Sequence, residues 1–173
     1  MEIRKCHVAE IAAAGAFYDD VVLWLDRHVN YPKWVYRVYP SEDSVREQAA
    51  AGNQYLCLEN GSIAAAFVLN DDPDGAYGKG HWKKTLPDGS CLILHALAVR
   101  PDLQGQGLAS EIIRFCAEQA KERGYRALRL DIVPENLPAA RLYEKNGFTP
   151  AGTVDLERGI EGIPLFSLYE LNW

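Results

Sequence analysis

Between an apolar run at residues 91–99 and a helix-forming run that follows it, the chain reads Gln104, Gly105, Gln106, Gly107, Leu108, Ala109. The two glycines let the main chain approach a ligand with no Cβ in the way. The helix that opens behind them offers N–H groups without intrahelical acceptors and the positive end of its dipole. An anion such as a phosphate is what a strand–turn–helix of this kind can hold. Its spacing fits neither the G-x-G-x-x-G dinucleotide fingerprint nor the phosphate loop that ends in Gly-Lys-Ser/Thr. A glycine turn before a helix is as often purely structural, so the turn alone selects no ligand. His95 is the only ionisable side chain in the 91–99 run. With an ordinary pKa of ~6.5 it could take a proton from a substrate, directly or through water. It stands two residues from Leu97, so strict strand alternation puts both on one sheet face. A hydrogen-bonded core histidine is the alternative reading. Asp131, near the end of the adjoining strand, is a second candidate base, with a structural carboxylate as its alternative.

Residues 104–109 resemble the Q/R-x-x-G-x-G/A motif of the GCN5-related N-acetyltransferase superfamily. Further on, Asn136, Leu137, Pro138, Ala139, Ala140, Arg141, Leu142, Tyr143, Glu144, Lys145, Asn146, Gly147 and Phe148 are similar to its N-x-x-A-x-x-L-Y-E-K-x-G-F element. The resemblance extends over nearly the whole chain, read as one N-acetyltransferase domain of residues 1–173. It implies that backbone groups of Gln104, Gly105, Gln106, Gly107, Leu108 and Ala109 bind the pyrophosphate of acetyl-CoA, the cosubstrate. Leu97, Ala98 and Val99 would hydrogen-bond the pantetheine arm as a neighbouring strand would. Asn136 matches a position that contacts the cofactor, although an asparagine there is equally suited to cap the following helix. Tyr143 matches the tyrosine that in the family protonates, or hydrogen-bonds, the departing CoA thiolate, an aromatic core residue being the alternative reading. Its phenol at ~10 and a thiol at ~8.5 are close enough to share a proton. Tyr143 lies seven residues after Asn136, two helical turns on, so both point to nearly one side. The implied reaction is direct attack of a primary amine on the thioester in a ternary complex. A backbone N–H of the 91–99 strand stabilises the oxyanion, His95 is the candidate base, and no metal is needed. No Ser-His-Asp arrangement suggests an acyl-enzyme. The rival readings are a non-catalytic acyl-CoA-binding regulatory module and a nucleotide-binding domain.

These residues need elements to position them. Apolar residues recur at helical spacing from Ala9 to about Val29, with Ile11, Ala14, Phe17, Val21, Trp24 and Leu25 along one stripe. A second helix starts at a Ser41 cap and ends near Gly52. Strands are expected at 2–7, 54–59 and 62–69, the last two joined by the Asn60-Gly61 hairpin signal. Residues 91–99, almost continuously apolar, form a central strand buried on both faces. A long helix runs to about Arg123, with Leu108, Ile112, Phe115, Cys116 and Gln119 on one face. Strand 127–133, helix 137–146 and strands 148–156 and 163–171 complete the chain. The order β-α-α-β-β-β-α-β-α-β-β gives a mixed α/β sheet with helices on both faces, the 91–133 segment being a parallel crossover.

Composition narrows the partners. The chain has 173 residues, 48% hydrophobic and 24% charged, with net charge -6, a globular balance that disfavours nucleic acid and anionic membrane. No apolar run approaches the ~20 residues of a membrane span, and the N-terminus lacks a secretory pattern, so a cytoplasmic protein is expected. A homodimer is left open. Cys6, Cys57, Cys91 and Cys116 have no metal or redox spacing and read as reduced structural residues. Trp24, Tyr31, Trp34, Tyr36 and Tyr39 could wall a pocket for a cationic amine or simply pack. The 70–90 segment is too long for an idle loop; its Asp71, Asp72, Asp74, His81 and Trp82 could border the same opening.

Overall fold

Asn60 and Gly61 both take positive φ, 51° and 77°, which a two-residue type I′ hairpin requires. They join β2 (Gln54–Glu59) to β3 (Ser62–Asn70). The computed structural model describes residues 1–173. Its other elements are β1 (Glu2–Lys5), α1 (Ile11–Asp26), α2 (Glu42–Ala50), β4 (Cys91–Val99), α3 (Leu108–Glu122), β5 (Ala127–Ile132), α4 (Leu137–Lys145), β6 (Thr149–Val154) and β7 (Phe166–Asn172). The order of helices and strands matches the sequence reading. The seven strands form one mixed sheet in the order β1-β2-β3-β4-β5-β7-β6, flanked by helices. No helix is long and apolar enough to cross a membrane.

The chain packs as two compact units. The first comprises Met1–Leu69 and His95–Ile112. In it β1 and β3 flank β2, both antiparallel to it, with Ile3 opposite Cys57 and Leu56 opposite Ala66. Ser41 caps α2 by accepting from the Ser44 N–H, and the Ser41 N–H donates in return to the Ser44 Oγ, satisfying donors that a helix start leaves free. Gly15 lets α1 approach α2 closely: a Cβ there would stand 2.7 Å from the Glu42 Cβ. The core gathers Ile11, Ala14, Phe17, Tyr18 and Val21 of α1 with Val45, Leu56, Ala66 and Ala98. The α1 stripe is thus shifted from the one read in sequence, taking in Tyr18 and Val22 while Trp24 and Leu25 are only half-buried.

The second unit comprises Asn70–Leu94 and Ile113–Trp173. Here the first part of β4 runs parallel to β5, Cys91 opposite Ala127 and Ile93 opposite Arg129. β7 is antiparallel to both β5 and β6. Its core includes Cys91, Ile93, Ala127, Ala151, Leu156, Phe166 and Leu168. In α3 the buried positions are Ile112, Ile113, Cys116, Ala117 and Ala120, so Leu108, Phe115 and Gln119 lie at the margin of the true stripe. The 70–90 segment is tied down rather than loose. Trp82 Nε1 donates to the Tyr77 carbonyl at 2.7 Å, and the Arg129 guanidinium lies 3.9 Å from the Trp82 ring centroid. The Lys83 N–H donates to buried Glu170 at 2.6 Å, and the His81 N–H to the Ala151 carbonyl at 2.7 Å.

Candidate active site

After β4 the chain makes a 3-10 turn, Pro101–Leu103, and then the glycine turn into α3. Side chains stitch this stretch from within. Gln104 Nε2 donates to the Val99 carbonyl at 3.2 Å and Gln106 Nε2 to the Asp102 carbonyl at 2.9 Å. Arg100 pairs with Asp102 at 2.7 Å. The carbonyls of Val99, Arg100, Pro101 and Asp102 are therefore taken within this stretch. The first backbone bond at the start of α3 runs from the Glu111 N–H to the Gly107 carbonyl, and the N–H groups before it have no acceptor in their own helix. Gly105 and Gly107 take φ of 77° and 92°, and a Cβ added at either would meet nothing within 4 Å. An exposed run of main-chain donors with open space above it fits a phosphate or pyrophosphate group. Gln104 spends both its side chain and its backbone N–H on the turn, the latter on the Pro101 carbonyl at 3.3 Å.

His95, Leu97, Ala98 and Val99 belong to the same unit as this turn. The strand is not regular there. Ala96 has φ of 48°, a left-handed conformation that costs a non-glycine residue roughly 1–2 kcal/mol. The strict alternation that would align His95 with Leu97 is therefore interrupted between them. The Tyr18 hydroxyl donates to the Ala96 carbonyl at 2.9 Å. Beyond it Gln54 Nε2 donates to the carbonyls of Phe67 and Tyr55 at 3.0 and 3.2 Å and stands 3.5 Å from the Tyr18 hydroxyl. Tyr18 and Gln54 are both fully buried, and burial holds the Tyr18 phenol well above its usual pKa. Neither residue is found by sequence reasoning. Tyr18 looks like one more apolar position beside Phe17, and its partner lies 78 residues away.

In the second unit, Asn136 is the N-cap of α4, its Oδ1 accepting from the Ala139 N–H at 3.2 Å. That use leaves its Nδ2 as the group able to face a ligand. Tyr143 is buried, its ring held edge-on by Phe148 and at a tilt by Tyr169. Burial first, then the neighbouring Cys116 and Asp131, hold its phenol above the ordinary value. The near-match with a thiol expected from unperturbed values is therefore lost, and the hydroxyl is suited to donating a hydrogen bond while keeping its proton.

Asp131 is committed elsewhere. Arg158 grips both its oxygens, at 2.7 and 2.8 Å, and the Tyr77 hydroxyl donates to Oδ2 at 2.6 Å. Arg158 also lies over the Phe166 ring and donates to the carbonyls of Pro73 and Asp74. A carboxylate with these partners is a clamp on the 70–90 segment, not a free base. Asp71 accepts from the Tyr125 hydroxyl, and the Asp72 side chain accepts from the Asp74 N–H. The acidic groups expected to border a substrate opening are thus used within their own unit. Of the aromatic group after α1, Trp34 packs edge-on to Tyr18, Trp24 stacks on His28 and Tyr36 carries Arg37 over its face. Tyr31 and Tyr39 are exposed. The four cysteines are buried and unpaired, and burial pushes every thiol up. No cluster of three or more His, Cys, Asp or Glu side chains is arranged to hold a metal. Asp131→Asn should cost about 3 kcal/mol, the effect of leaving the nearly buried Arg158 without its counter-charge. In thermal melts that is a drop of roughly 6–12 °C; an unchanged melting temperature would show that the clamp is dispensable.

Known proteins share the fold. A GNAT-family acetyltransferase of Streptococcus agalactiae 2603 superposes with a TM-score of 0.82 over 99% of this chain and 95% of its own, at 19% identity. The Salmonella typhimurium protein yncA, whose structure contains its cofactor acetyl-CoA, superposes at 0.70 over 99% and 93%, at 20% identity. In sequence, a mycothiol acetyltransferase of Beutenbergia cavernae is 34% identical over 84 residues, 49% of this chain and only 28% of that protein. The thialysine N-epsilon-acetyltransferase of Sus scrofa is 29% identical over 122 residues, 68% of this chain and 69% of that one. Residues 21–148, which contain the glycine turn, Asn136 and Tyr143, match the Acetyltransferase (GNAT) family, and the chain is a member of it.

Proposed function

We propose that the protein is a single catalytic domain that transfers the acetyl group of acetyl-CoA to a primary amine, by direct attack in a ternary complex. The observation that carries this reading is the turn at residues 104–109. It has two left-handed glycines with open space over them, side chains that occupy the neighbouring carbonyls, and helix-start donors left for an anion. Membership of the family and the acetyl-CoA held by yncA support the same ligand. Its pyrophosphate would take the backbone N–H groups of Gly105, Gln106, Gly107, Leu108 and Ala109, the Gln104 N–H being bonded to the Pro101 carbonyl. Its pantetheine arm would run beside Leu97, Ala98 and Val99, with Asn136 Nδ2 as a further contact.

The amine must lose its proton before its nitrogen bonds the thioester carbonyl carbon, and His95 is the base we assign to that proton. A β4 backbone N–H stabilises the oxyanion. As the C–S bond breaks, the Tyr143 hydroxyl hydrogen-bonds the departing thiolate, its proton retained by burial until the sulfur takes one. The raised cysteine pKa values make a thiolate nucleophile scarce, which supports direct attack over an acyl-cysteine. They also suit a reducing cytoplasm, where we place the enzyme. The relatives are named for different compounds, mycothiol and thialysine, so the reading extends to an amine and no further.

If the glycine turn holds the pyrophosphate, acetyl-CoA raises the melting temperature of the wild type by mass action. Gly107→Val, with a β-branched residue at φ of 92°, abolishes that shift while the ligand-free protein stays folded. A retained shift would remove the turn from the site. Tyr143→Phe keeps the ring and its packing, so acetyl-CoA affinity changes little while the single-turnover rate falls roughly 100-fold or more. Because the phenol is raised above its ordinary pKa of ~10, it imposes no alkaline limb below that pH. On the acid side, His95→Gln removes the limb that the histidine imposes. A wild-type single-turnover rate in Tyr143→Phe, or an unaltered acid limb in His95→Gln, would cancel the corresponding role.

A further inference from the structure

We infer that Tyr18 is a positioning residue. By donating to the Ala96 carbonyl, its hydroxyl holds β4 in the left-handed step that sets the direction of the peptide groups leading into Leu97, Ala98 and Val99, the residues assigned to the acyl donor. The inference rests on the acetyl-CoA reading above and adds to it a residue on α1 that touches neither substrate.

Three features of the first unit carry it. An alanine at φ of 48° is held against its own preference, whereas glycine would need no support. The support is present: a phenol has a single hydrogen to donate, and Tyr18 gives it to the Ala96 carbonyl. A phenylalanine would fill the same space without placing a hydroxyl in the core, where burial is costly unless the group is bonded. The second feature is rigidity around the donor. Phe17 and Trp34 pack edge-on to the Tyr18 ring, at 5.7 and 6.3 Å between centroids. Gln54 lies beside the hydroxyl, fixed by its bonds to the carbonyls of Tyr55 and Phe67. The left-handed step is thereby referenced to the β2–β3 hairpin. The third is placement. Ala96 immediately precedes the three residues assigned to the donor, and both Ala96 and Ala98 pack in the Tyr18 core. A peptide rotation at Ala96 therefore redirects the N–H of Leu97 first.

The test is a double-mutant cycle with two readouts, residue-resolved amide hydrogen exchange on the ligand-free protein and the single-turnover rate of acetyl transfer. In Tyr18→Phe, exchange along residues 97–100, where the Arg100 N–H is bonded to the Ala64 carbonyl, accelerates and the transfer rate falls, each about tenfold, while α2 and β1 keep their protection. In the Ala96→Gly background the same substitution costs about threefold or less, because glycine takes the left-handed step unaided. That coupling would be absent if Tyr18 only packed. Equal losses in both backgrounds, or a lower melting temperature with unchanged exchange in β4, would overturn the inference. Should the wild type transfer no acetyl group, the enzymatic reading fails, and the exchange arm still decides what Tyr18 does to β4.

Discussion

An alanine with φ of 48° inside a strand is held there against roughly 1–2 kcal/mol of intrinsic preference. The buried Tyr18 hydroxyl on its carbonyl is the interaction that holds it. A net contribution of about 1 kcal/mol from one such bond is comparable to the penalty, so the conformation is supported but not by a wide margin. Its consequence is local and directional. β4 is regular where it pairs with β5, from Cys91 to Ile93. After Ala96 its backbone groups no longer follow the alternation of the first half. A strand that continued regularly would commit those groups to the ladder. The left-handed step interrupts that regularity at Ala96, while β4 keeps β3 as its neighbour and the Arg100 N–H bonds the Ala64 carbonyl.

The glycine turn applies the same logic to charge. Its side-chain amides occupy carbonyls and its ion pair, Arg100 with Asp102, neutralises itself. The field offered to an anion then comes from backbone donors and the start of α3, with no lysine or arginine required by the turn. That arrangement suits a chain of net charge -6, which could not rely on a basic surface to recruit a polyanionic cosubstrate. Tyr143 follows the opposite rule. It is buried so that its proton is kept, which fits a donor to a leaving thiolate better than a freely titrating acid.

Local physics was legible in the sequence and long-range pairing was not. Asn60-Gly61 and the Ser41 cap act within a few residues, and both form the structures their chemistry demands. The 91–99 strand is likewise found within its expected bounds, because continuous apolarity admits few other solutions. The glycine turn was legible as left-handed backbone leading into a helix, while two glycines alone select no ligand. Ala96 gave no sign, since alanine has no preference for φ above zero. Asp131 was readable as a carboxylate near a strand end, but its partner Arg158 sits 27 residues on, across an irregular segment with no periodicity to place it. Tyr18 failed for the same reason in a stronger form. A hydrophobic pattern can say that a tyrosine is inside, and cannot say what its hydroxyl meets.

The proposed direct attack makes one demand on chemistry: acetyl transfer that passes through no covalent intermediate. The decisive measurement mixes the wild-type protein with acetyl-CoA and a panel of primary amines, following CoA thiol release and identifying products by mass. The account predicts release that depends on both substrates, with at least one amine gaining a single acetyl group and no acetylated protein accumulating. Binding of acetyl-CoA with no release across the panel would contradict it, and would make the protein an acyl-CoA-binding regulator built on an enzyme's fold.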